Sequence, residues 1–222
     1  MTTDNLEWLN QAVSSIKKNQ IDSKKLLAER FSSSYKFIRV FHGCCPTDLS
    51  SYYKYGIVPL NASEYNDKVN KHFLSDKFPE ISPAILDKAI KTVGTETREG
   101  YLYLALDDTD FTEWCGHYLI YGSEYVQAIA AELRRNTGID YLRSLRRQGV
   151  PTIISCNLPL EYISWNTILE LSGPLLVETI ARQLSGFKKA PEIDFSFMIK
   201  RTLPPEYIIS HYHPTNIRDP LI

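Results

Sequence analysis

The chain has 222 residues, 43% hydrophobic and 23% charged, with a formal net charge of −1, enough for one large domain or two small ones with a real core. So balanced a charge gives no electrostatic argument for nucleic acid or an acidic membrane surface. No N-terminal run has the basic start and apolar core of a signal peptide, and no window reaches about 18 uninterrupted apolar residues, so the expected location is cytoplasmic, or a target cell reached by a route the sequence does not display.

In chain order, residues 4–31 read as two short helices, with Asp4 as N-cap and Leu6, Leu9 and Val13 at helical spacing. They make residues 1–34 an N-terminal helical segment packed on a main domain of residues 35–222. The aromatic and β-branched run YKFIRVF (35–41) predicts a strand ending at His42-Gly43. Pro46 and Thr47 restart the chain, and DLSSYYKYG (48–56) predicts about two helical turns closed by Gly56. Residues 60–99 read as a variable helical insertion, clearest at SPAILDKAIKTV (82–93), with Ser82 as cap and Pro83 at the first position.

GYLYLAL (100–106) predicts a second strand. The acidic loop DDTDFTE (107–113) leads from it into a helix that continues through SEYVQAIAAELRR (123–135). GVPTIISCNLP (149–159) is a further strand, and residues 173–186 a helix from Pro174 to Gly186. Residues 193–214 supply the last one or two strands. LPLEYIS (158–164) and LPPEYIIS (203–210) echo each other after apolar strands, which repeated turn chemistry explains without a duplication. Helices early and between strands spread along the chain define an α+β fold.

Three chemistries compete for the reactive residues. A metal site would draw on His42, Cys44, Cys45, Cys115, His117, His211 and His213. None of the C-x(2–4)-C or H-x(3–5)-H spacings that converge on a tetrahedral ion is present, and no metal is expected. The four cysteines also lack disulfide spacing and are free thiols in a reducing compartment. A thiol nucleophile would be Cys44, just ahead of a helix N-terminus, or Cys115, with a histidine such as His117 as base.

The third chemistry follows from the order of the pieces: a strand ending in His42-Gly43, a helix closed by Gly56-Ile57, the strand GYLYLA, a helix carrying EWCGHY, and an apolar strand into DFSFMIKRTLPPEYI. This order resembles the ADP-ribosyltransferase superfamily, in its diphtheria-toxin and poly(ADP-ribose) polymerase branch, over residues 37–57, 100–118 and 192–210. The resemblance implies a split, mainly antiparallel β-sandwich surrounded by helices. It also implies NAD as substrate, ADP-ribose transfer to a protein, RNA or DNA acceptor, and the setting of a bacterial toxin, effector or defence factor. His42 then matches the histidine that hydrogen-bonds a ribose of NAD. Gly43 matches the glycine whose backbone clasps the nicotinamide carboxamide, an approach that a Cβ would block. Tyr103 matches the tyrosine of the second motif, and Trp114 falls where the second stacking ring lies.

The family acid is a glutamate that binds the ribose 2′-OH and steadies the oxocarbenium-like charge. Asp194 stands at that position, one methylene shorter, with Glu192 two residues earlier; Glu113 and Glu124 are further candidate carboxylates. A misplacement of about 1 Å costs on the order of a hundredfold in rate. In the first motif Cys44 replaces the usual Ser or Thr. Two other readings stay open: the same fold as a catalytically silent binding module, and an unrelated hydrolase using Cys44 or Cys115 with His117. The basic segment 133–149 is a faint hint of a nucleic-acid acceptor.

Overall fold

The computed structural model describes residues 22–95, 98–146, 148–185 and 193–221. The first helix expected near the N-terminus therefore lies outside the described residues. The second is helix α1 (Ser23–Ser34), started by Asp22, whose carboxylate accepts the Lys25 N–H at 3.3 Å. Strand β1 (Phe37–Cys44) runs through His42 and Gly43 instead of stopping at them. Helix α2 (Ser50–Tyr55) is closed by Gly56 at φ 80°, a conformation that favours glycine.

The region expected to be an insertion holds two helices. In α3 (Ala62–Phe73) the Asn61 side chain caps the N-terminus; in α4 (Pro83–Val93) Ser82 does so, with Pro83 in the first turn. Strand β2 (Leu102–Ala105) follows, then the one-turn helix α5 (Asp110–Glu113), helix α6 (Gly116–Tyr121) and helix α7 (Glu124–Thr137). Strand β3 (Thr152–Pro159) leads to helix α8 (Trp165–Ser185). That helix starts well before Pro174 and passes through it, where the sequence suggested a start. Strands β4 (Ser196–Ile199) and β5 (Ile208–Tyr212) complete the order.

The strands form a five-stranded sheet in the order β4-β2-β1-β3-β5, so the fold is α+β with β1 at the centre. Strand β5 pairs antiparallel with β3, Ile153 opposite Tyr212 and Cys156 opposite Ile208, with an irregularity between Ser155 and Cys156. Outside the sheet, an isolated antiparallel bridge joins Ile57 and Leu203 through N–H···O bonds of 2.8 and 2.9 Å. Among the described residues no helix is long and apolar enough to cross a membrane.

The described residues divide into two compact units. The first comprises residues 22–40, 105–107, 157–185 and 193–197. In it α1 packs on α8 and buries Leu27, Ala28 and Phe31. Leu106 N–H donates to Phe195 O at 2.8 Å, and Arg39 Nε donates to Asn157 Oδ1 at 3.1 Å.

The second unit holds the rest, and its helical core is built from the supposed insertion. Val69, Phe73, Leu86 and Ala89 of α3 and α4 pack with Tyr125, Ile129 and Leu133 of α7 and with Tyr141 and Leu145. These helices carry apolar side chains at helical spacing and must bury them against one another. The buried tyrosines keep their hydroxyls satisfied: Tyr125 donates to Asn66 at 2.7 Å and Tyr141 to Glu80 at 2.9 Å. Residues 60–95 thus hold the expected helices, and those helices form core.

Candidate functional site

The second unit contains His42, Gly43, Tyr103 and Trp114. His42, half-buried on central strand β1, donates from Nδ1 to the backbone carbonyl of Tyr103 on β2 at 3.2 Å. That bond fixes the tautomer and leaves the Nε2 lone pair as an acceptor. Burial holds the imidazole below its ordinary value, opposed by the bond to Tyr103. The Tyr52 ring of α2 lies 6.2 Å away, tilted by 49°.

Cys44 is buried two residues further on, its thiol donating to Thr152 O at 3.6 Å. Burial pushes that thiol up to about 12, with a hydrogen bond to Tyr52 acting the other way. Burial also raises Cys45 and Tyr52. Burial therefore opposes the thiolate form that a nucleophile at Cys44 would need.

Gly43 owes its lack of a side chain to Phe111 of α5. A Cβ at residue 43 would lie 2.5 Å from the ring Cε1. Tyr103 stands exposed between buried Leu102 and Leu104, with the Tyr101 ring at 6.4 Å and Lys200 Nζ 4.8 Å over Tyr101. Trp114 follows the last turn of α5, is 65% exposed, and carries the Arg218 guanidinium 5.0 Å from its ring centroid.

Of the candidate acids, Asp194 is exposed ahead of β4 and belongs to the first unit. Glu192 lies outside the described residues, and Glu113 is exposed on α5. Glu124 is engaged at the start of α7. Its Oε1 accepts from Tyr118 OH at 2.8 Å and lies 3.8 Å from His117 Nε2. The His117 and Tyr118 rings are 4.2 Å apart, and His117 Nδ1 is buried with no hydrogen-bond partner among the described residues. His117 at 3.8 Å, the hydrogen bond from Tyr118 and the nearby Arg98 charge hold the Glu124 carboxyl below the usual range against the opposing effect of burial. The sequence offered Glu124 and His117 for different reactions. Their union across the α6–α7 break, with Tyr118 between them, has no short-range spacing to reveal it.

Two other clusters stand out, of which the sequence singled out only the His211 and His213 pair. Asp219 accepts from Tyr121 OH at 2.6 Å and pairs with Arg146, whose Nε donates to Tyr121 OH at 3.1 Å. Beside this clasp is a cavity of about 570 Å³ whose lining includes Cys45, Gly149, Thr215 and Ile217. Tyr53 OH of α2 and His211 Nδ1 of edge strand β5 share a hydrogen bond of 2.6 Å, and the His213 ring lies 5.3 Å from that of His211. Among the described residues no group of three or more His, Cys, Asp or Glu side chains is placed to hold a metal ion. The basic 133–149 segment spends much of its charge internally, in pairs of Arg135 with Glu132, Arg143 with Asp140 and Arg146 with Asp219.

Comparison with protein-family models, curated proteins and solved structures finds no match to this chain.

Proposed function

We propose that this chain transfers ADP-ribose from NAD to a macromolecular acceptor, on an α+β fold of the ADP-ribosyltransferase type. The observation that carries the reading is the His42 Nδ1 bond to the Tyr103 carbonyl at 3.2 Å. It sets the first two motifs side by side on β1 and β2 and leaves Nε2 to accept a hydrogen bond from a ribose hydroxyl.

In this scheme Tyr103 and Trp114 stack the nicotinamide ring, for which their exposed faces suit them. The C–N glycosidic bond breaks with its electron pair leaving on nicotinamide. By the resemblance alone, the positive charge left on the ribose falls to Asp194 or Glu192 to steady until an acceptor nucleophile attacks the anomeric carbon.

The test is nicotinamide release from NAD by the wild type, the His42→Ala/Tyr103→Ala double variant, Asp194→Ala and Glu192→Ala. Release is expected from the wild type and lost in the double variant and in one of the acid variants. Release that persists in the double variant would sink the site.

A catalytically silent module of the same fold is the second reading, and Phe111 favours it. The ring packs on Gly43 where the family glycine meets the carboxamide, so NAD must displace it. NAD binding without nicotinamide release would be its signature.

A further inference from the structure

Trp114 is a large ring left 65% exposed beyond a one-turn helix, where nothing in its own element fixes its orientation. What meets it is Arg218, from the segment after β5, with its guanidinium 5.0 Å from the ring centroid. The backbone at Arg218 is held on both sides. Its N–H donates to Thr112 O at 2.8 Å, and its carbonyl comes so near Gly116 that a Cβ there would lie 2.1 Å from the oxygen. The next residue, Asp219, is clasped by Tyr121 and Arg146. The cation therefore rests on a fixed anchor, and a planar guanidinium stacks on an indole face as an ammonium does not.

We infer that Arg218 is a positioning residue that backs one face of Trp114 and presents the other as a rigid platform for a flat ring, the nicotinamide of NAD. This rests on the NAD reading above. A ring held in its binding orientation loses less freedom when the ligand arrives, so Arg218 acts on affinity without touching the ligand.

The experiment uses the full chain with Trp8→Phe and Trp165→Phe, so that Trp114 alone fluoresces. The Arg218→Ala, Arg218→Lys and Arg218→Gln variants are compared in that background. Fluorescence anisotropy of Trp114 is expected to fall in Arg218→Ala without any ligand. The NAD Kd from calorimetry is expected to weaken about 2- to 5-fold, the worth of an exposed cation–π contact. The ammonium of Arg218→Lys, which keeps the cation without the planar fork, should recover part of both signals, and the neutral amide of Arg218→Gln less.

Unchanged anisotropy overturns the inference, and so does lower anisotropy with an unchanged NAD Kd. Absence of NAD binding in the wild type overturns the NAD reading itself and takes this inference with it. The thermal midpoint of each variant separates loss of fold from loss of orientation.

Discussion

Gly43 and Phe111 are in such close contact that one methyl group on the glycine would reach to 2.5 Å from the ring. Gly43→Ala is therefore an overpacking change on the central strand. A cost of about 1–3 kcal/mol is expected, read as a lower midpoint of urea unfolding. Phe111→Leu in the same chain should return part of that stability, because the two side chains would no longer compete for one space. An additive double variant would show that the contact does not govern residue 43.

The His42 imidazole is held below its ordinary value by burial, so the unfolded chain binds its proton more readily than the folded one. The effect on stability is absent above the unfolded value of about 6.5 and grows as pH falls from there toward the folded value. Unfolding midpoints between pH 7.5 and 5 should fall more steeply for the wild type than for His42→Asn. His72, also lowered by burial, contributes in the same direction to both proteins and cancels in the difference. Parallel curves would refute the assignment.

Much of the fold was legible because its signals are local. The capping by Ser82, the closure at Gly56 and the apolar run of β3 each depend on residues within a few positions, whereas the Asp22 cap of α1 was not anticipated. The start of α8 was misread because Pro174 looks like a helix opening, whereas the chain had already turned at Ser164, whose hydroxyl accepts the Thr167 N–H at 3.1 Å. The role of residues 60–95 needed tertiary knowledge, since only the partner helix α7 shows that their apolar faces are core. The candidate site divides in the same way. His42 and Tyr103 could be named from motif order. The Phe111 ring over Gly43, and the joining of Glu124 to His117 and Tyr118, depend on side-chain packing that no spacing encodes.

Cys44 should be chemically silent in the native protein. With its thiol pushed up to about 12, only about one molecule in 10⁴ carries the thiolate at pH 8. Peptide mapping after iodoacetamide at that pH should find Cys44 unmodified until the chain is unfolded in urea. Native labelling at the rate of an ordinary thiol would instead favour Cys44 as a nucleophile.

Glu124 is the carboxylate whose role is easiest to mistake. The nearby His117 and the hydrogen bond from Tyr118 favour the ionised form, so its stabilising contribution is present above the unfolded value and is lost as pH falls through the lower folded one. Because the side chain is about half exposed, Glu124→Gln should cost only about 1 kcal/mol. Committed to those two partners, it is placed to join α6 to α7 rather than to meet a ribose. Nicotinamide release by Glu124→Gln should therefore stay within about twofold of the wild type. The family acid, by contrast, should cost on the order of a hundredfold when it is lost. A hundredfold loss in Glu124→Gln with an intact unfolding midpoint would move the catalytic carboxylate from residues 192–194 to the start of α7.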